Sequence, residues 1–199
     1  AAETSLRSRF NIKNNYFIIM TQWNIDSSHS SVEFSVKHFG VSWVKGRFAK
    51  IEGNAIFDLK NPETGGSLTV EIKMNSIWTG DEARDNHLRS KDFFDVEKYP
   101  LAIFKSASIE NVRNNEYKIA GDLTLRGITH PVVLEGSFLG MHEVPSGKDK
   151  ELIMRAGFSA HTMINRHDFG ILWDMPAGEG VTTVGGEVEI TLAIEAVKQ

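Results

Sequence analysis

The chain has 199 residues, carries 22 Lys and Arg against 26 Asp and Glu for a net charge of −4, and contains no cysteine. That length suits one domain with a sizeable core, and the charge leaves no basic footprint for nucleic acid or an anionic membrane. The missing cysteine excludes a disulfide, an iron–sulfur cluster, a thiolate zinc site and a catalytic thiol, while leaving the redox compartment open.

Residues 1–19 differ in character from the remainder of the chain. Arg7, Arg9 and Lys13 lie among polar residues ahead of Tyr16-Phe17-Ile18-Ile19-Met20. Five apolar residues are too few for a signal-peptide core or a membrane span. An N-terminal appendage, leader-derived or non-native, is therefore expected over 1–19, with one domain over 20–199 and Met20 a candidate start.

From Trp23 onward the dominant period is two, as expected of strands with one buried face. Val32, Phe34 and Val36 alternate with Glu33, Ser35 and Lys37, and Leu68, Val70, Ile72 and Met74 alternate with Thr69, Glu71 and Lys73. Tyr117, Ile119, Gly121, Leu123 and Leu125 share a face opposite Lys118, Asp122 and Thr124. Val188, Ile190, Leu192, Ile194 and Ala196 oppose Glu187, Glu189, Thr191 and Glu195. Weaker strand patterns cover 46–58, 101–110, 132–138 and 151–159. Turn residues at Asn61 to Gly66, Asn114-Asn115 and Pro145 to Lys150 predict hairpins, hence an antiparallel meander of about eight or nine strands.

The segment from Thr79 to Pro100 breaks the alternation. Thr79 and Glu82 have the spacing of a capping box, which predicts a helix from about Gly80 to Ser90 with Asp81 and Glu82 at its positive end and Arg89 at its negative end. The expected fold is thus all-β, an antiparallel barrel of about eight strands with one or two short helices. Such a barrel either fills itself with side chains or holds one small ligand. Gly53, Ala55, Gly121, Gly136, Gly157 and Gly186 fit bulges and corners as well as they fit close approach of a ligand.

Candidate chemistry is sparse. The seven histidines form neither HxH nor HExxH, so no metal site is expected and no cofactor is implied. No serine occupies a G-x-S-x-G elbow, and no phosphate-binding glycine loop is present. Two polar clusters remain, Arg84, Asp85, His87 and Arg89 on the helix and Asn165, Arg166, His167 and Asp168 before Phe169-Gly170. One reading pairs Asp85 with Arg89 on the surface and lets Arg166 and Asp168 anchor a loop. The other places Arg84, His87 or Arg166 at the barrel mouth, where a guanidinium fork suits a carboxylate or phosphate.

Trp23-Asn24-Ile25-Asp26, Phe34-Ser35-Val36-Lys37-His38, Arg84-Asp85-Asn86-His87-Leu88-Arg89, Asp92-Phe93-Phe94-Asp95, Lys98-Tyr99-Pro100, Gly121-Asp122-Leu123-Thr124, Asn165-Arg166 and Asp168-Phe169-Gly170 occur in one order. Together they resemble the YceI-like family from Trp23 to Gln199. The resemblance implies an extended lipocalin-like barrel whose interior binds a polyisoprenoid or other long-chain lipid, often as a homodimer, with no catalytic constellation. Periplasmic and cytoplasmic placements both remain open.

The expected lining comprises Val32, Phe34 and Val36; Leu68, Val70, Ile72 and Met74; Leu123 and Leu125; and Val188, Ile190, Leu192 and Ile194. Phe104, Phe138, Phe158 and Trp173 are expected to complete the wall, with the head group near Arg84, His87 or Arg166. The alternative is an enzyme acting on a lipid head group, with His87 or His167 as base and Asp85 or Asp168 orienting it. A third possibility, an interaction module, requires a filled barrel.

Overall fold

The computed structural model describes residues 20–58, 66–147, 150–175, 178 and 180–199. The expected appendage over 1–19 and most of the hairpin loops at 61–66 and 145–150 lie outside or at the edge of the described residues. Among the described residues eleven strands carry the fold: β1 Thr21–Ile25, β2 Ser31–His38, β3 Ser42–Phe48, β4 Ile51–Phe57, β5 Gly66–Lys73, β6 Ile77–Trp78, β7 Leu101–Arg113, β8 Glu116–Leu125, β9 Ile128–Ser146, β10 Glu151–Asn165 and β11 Val184–Lys198.

All pairings are antiparallel, and β1-β4-β5-β7-β8-β9-β10-β11 closes into an eight-stranded ring through β1 and β11. The remaining strands prolong two staves. β1 pairs with the end of β11 (Trp23 opposite Lys198), and β2 pairs further back on the same edge (Phe34 opposite Ile190). β3 then pairs with β2, and β6 with the end of β3. What the alternation from residue 46 to 58 suggests as one strand is two, interrupted at residues 49–50. The barrel is long because β7, β9, β10 and β11 run for 13, 19, 15 and 15 residues.

The predicted Asn114-Asn115 turn is present, with φ of 40° and 69°, the doubly left-handed turn that matches strand twist and suits asparagine. At Gly121 a Cβ would stand 2.3 Å from the Lys105 carbonyl oxygen and 2.7 Å from Cζ of Phe104, beside an irregularity in the β7–β8 register. That glycine serves close strand approach rather than a ligand.

Among the described residues one α-helix, α1, spans Glu82–Arg89. Its cap corrects the expected capping box. Asp81 is the N-cap, accepting from the Arg84 amide at 2.9 Å. Thr79 is unavailable because its amide and hydroxyl both donate to Oδ1 of buried Asp85, at 2.9 and 2.6 Å. A buried carboxylate needs such donors, and Thr79 meets that need better than it would a solvated cap amide. Among the described residues no helix is long and apolar enough to cross a membrane, which leaves strands out of account.

Candidate functional site: an apolar cavity through the barrel

The inward side chains leave a cavity of about 270 Å³. On β11 it is lined by Val188, Ile190, Leu192, Ile194 and Ala196, every second residue over eight steps of the strand. At about 3.3 Å per step the lining runs for roughly 26 Å, so the space is narrow and long. Length comes from the extended staves, and apolar character from the period-two pattern, which puts Glu187, Glu189 and Thr191 outside.

Val32, Phe34, Val36, Leu68, Val70, Ile72, Met74, Phe104, Leu123, Leu125, Phe138, Phe158, Val188, Ile190, Leu192, Ile194 and Arg166 all line this space. Arg84, His87 and Trp173 do not. Arg84 is folded back onto the segment before α1, its Nε donating to the Thr79 hydroxyl at 2.7 Å and its Nη2 to the Thr79 carbonyl at 2.9 Å. His87 is half exposed and hydrogen-bonded to Asp92 at 3.0 Å, with its ring edge-on to Phe93 and Trp173. Trp173 packs from outside the lining against Phe93 at 5.2 Å between ring centres.

The expected Asp85–Arg89 surface pair is replaced by two separate arrangements. Asp85 holds Thr79, while Arg89 donates to the carbonyls of Asn75 at 3.1 Å and Ile77 at 2.8 Å and to the Asn86 side chain. Asp85 thus ties α1 to the residue just after β6, and Arg89 ties it to β6 and to the turn before it. The His87 partner is accordingly Asp92, five residues on, and not Asp85.

Arg166 is buried among carbonyls. Its Nε donates to Gly185 at 3.0 Å, Nη1 to Ile171 at 2.7 Å and Trp173 at 2.8 Å, and Nη2 to Val184 at 3.0 Å. Four of its five N–H groups are thereby used on the crossover from β10 to β11. Burial depresses its pKa, and the Asp174 carboxylate opposes that shift. The crossover closes one end of the cavity, where Phe93, Phe169 and Ile171 are buried together with Ile77 and Met74. The pattern of residues 79–100 marks an interruption, yet nothing in it signals that Phe93 and Phe94 complete the lining beside Leu88. Ile171 carries no periodic signal at all.

At the opposite end Trp23 stacks on Phe57 at 5.9 Å, Phe57 meets Phe158 edge-on at 5.9 Å, and Phe158 meets Phe138 at 5.4 Å. This aromatic arc is contributed by four different strands. Just outside it, in the break between β1 and β2, Asp26 accepts from the Ser28 hydroxyl and amide at 2.5 and 3.0 Å and from Arg155 at 2.6 Å. Arg155 also pairs with Glu195. The Ser28 hydroxyl, followed by the Arg155 guanidinium, holds the Asp26 carboxyl well below the usual carboxylate range.

The oxygens and nitrogen of Asp26, His29 and Glu195 lie within 4.8 Å of one another, a spacing a metal ion accepts. Arg155 already pairs with both carboxylates and contests the place of a cation. Because the folded pKa of Asp26 is depressed, its stabilisation is present above the unfolded value of about 3.9 and is lost as pH falls toward the folded one. Asp26→Asn is therefore expected to cost about 1–3 kcal/mol at pH 7 and to flatten the acid limb of a stability–pH curve below pH 4. Urea melts of both proteins from pH 7 to pH 2 check this.

A model of the YceI-like domain matches residues 23–196. The chain is 38% identical over 175 residues to a UPF0312 protein of Pectobacterium atrosepticum, covering 87% of this chain and 84% of the relative. It is 37% identical over 175 residues to one from Pseudomonas aeruginosa, at the same two coverages. A crystal structure of the Campylobacter jejuni YceI protein superposes with a TM-score of 0.66 at 30% identity, over 82% of this chain and 90% of that one. A polyisoprenoid binding domain from Saccharophagus degradans shares the fold at 13% identity and a TM-score of 0.66, over 89% of this chain and 98% of that one.

Proposed function

Since the chain belongs to the YceI-like domain family, we propose that it binds and carries or stores a long-chain lipid, polyisoprenoid or fatty-acid-like, inside the barrel. The observation that carries this reading is the long apolar cavity lined from Trp23 at one end to Arg166 at the other. A filled barrel, as an interaction module would have, leaves no such space.

Each methylene moved from water into the lining is worth about 0.8 kcal/mol, so a dozen carbons supply roughly 10 kcal/mol before costs. Lost freedom of the lipid removes much of that, and the remainder suffices for a carrier that must also release. Discrimination between chain lengths is weak on this account, because one methylene changes affinity by only about 1–3 kcal/mol at most. The Saccharophagus domain, described as polyisoprenoid-binding, supports an isoprenoid as one candidate class.

Solvent extraction of the purified protein followed by mass spectrometry tests the proposal. A long-chain species near one per chain is expected. Repeated absence of any such species, together with no saturable uptake of an isoprenoid probe, sinks it.

A further inference from the structure

The polar groups on the lining decide which head group the cavity accepts. Among the described lining residues Arg166 is the sole charged side chain, and it is committed to four carbonyls at the closed end. A phosphate or carboxylate drawn into the barrel would meet no free cation among the described lining residues, and its desolvation would go uncompensated there.

The far end offers something different. Trp23 is 1% exposed and lines the cavity, and its buried indole Nε1 has no hydrogen-bond partner among the described residues. Buried donors without partners are uncommon and costly, so this one calls for an acceptor. An indole N–H can only donate. Around it stand the rings of Phe57, Phe138 and Phe158, an apolar surround in which one neutral hydrogen bond is strong and an ion is not tolerated. Tyr117 also lines the cavity, and it sits opposite Gly136, two residues before Phe138.

We propose that the cavity takes lipids whose head group is uncharged and accepts a hydrogen bond, with the acceptor oxygen placed against Trp23 Nε1 at the end of the barrel away from α1. Ethers, ketones, esters, amides and alcohols qualify, and diphosphates do not. This rests on the lipid-binding reading and narrows it to a class of head group.

The test is displacement of the hydrocarbon probe diphenylhexatriene by four compounds with one C20 prenyl chain: the hydrocarbon, the methyl ether, the alcohol and the diphosphate. The ether and alcohol are expected to displace at about 3- to 10-fold lower concentration than the hydrocarbon. The diphosphate should be weaker than the ether by about a hundredfold or more. In Trp23→Phe the ratio of ether to hydrocarbon affinity should fall to near one.

In the wild-type protein labelled with ¹⁵N, one of the four indole N–H resonances should move downfield with the ether and not with the hydrocarbon. This readout stands even where Trp23→Phe fails to fold. Equal affinity for ether and diphosphate, or an indole spectrum indifferent to the ether, overturns the head-group assignment while hydrocarbon binding keeps the lipid reading intact. Failure of every prenyl compound to displace the probe removes both.

Discussion

Replacing Arg166 by Met is expected to destabilise the protein by about 3–5 kcal/mol, the scale on which buried charged networks lose stability when one member is removed. The four carbonyls of Ile171, Trp173, Val184 and Gly185 would then be left inside the barrel wall without a donor. Each stranded carbonyl costs about 1–3 kcal/mol, reduced where the crossover relaxes toward water. For a domain of this size the loss corresponds to roughly 6–20 °C in Tm, a large share of the stability of an ordinary domain.

Arg166→Lys should recover little, because a single ammonium cannot present donors in the planar fork that reaches both sides of the crossover. Urea unfolding of the two variants decides the matter. An unfolding free energy for Arg166→Met within about 1 kcal/mol of wild type would mean the carbonyls find other donors. The consequence reaches the site, since the same crossover carries Ile171 over the closed end.

The strand faces were legible in the sequence because the barrel buries one side of every stave. Val188 to Ala196 alternate in the chain and alternate in the lining. The ends of the barrel were not legible, because they are closed by segments that meet only in three dimensions. Phe93 lies far in sequence from Phe169 and Ile171 and obeys no period shared with them. Arg84 and His87 look like mouth residues because charge and proximity are all that a sequence offers. Their neighbours absorb them first, Thr79 for Arg84 and Asp92 with two aromatic rings for His87.

The same logic explains the misplaced cap. Asp81 and Asp85 both need donors at the start of α1, and burial of Asp85 commits the Thr79 amide and hydroxyl to it while Asp81 takes the Arg84 amide, an outcome that local spacing cannot settle. Trp23 has the opposite history. It stands in the Trp-Asn-Ile-Asp run that helps identify the family, yet its place on the cavity wall follows only from the pairing of β1 with both β4 and β11.

Ala160→Phe should abolish high-affinity lipid uptake without unfolding the barrel. Ala160 lies on β10 between Phe158 and Thr162 on the lining, and across from it Gly136 is also small, its Cβ position only 3.3 Å from that of Ala160. This pair leaves the wall thin, and a phenyl ring added there has the cavity to enter. Displacing even three methylenes of a bound chain forfeits roughly 2–3 kcal/mol, about fifty-fold in affinity or more. A ring that blocks the channel outright removes every methylene beyond it as well. The cost to folding should be small, because the ring replaces empty space and adds contacts instead of forcing packed neighbours apart. Paired measurements of probe uptake and thermal unfolding therefore separate the two roles of the interior. Wild-type uptake in a folded Ala160→Phe protein would place the lipid somewhere other than this cavity, whereas lost uptake with an unchanged or raised Tm is the result a carrier barrel requires.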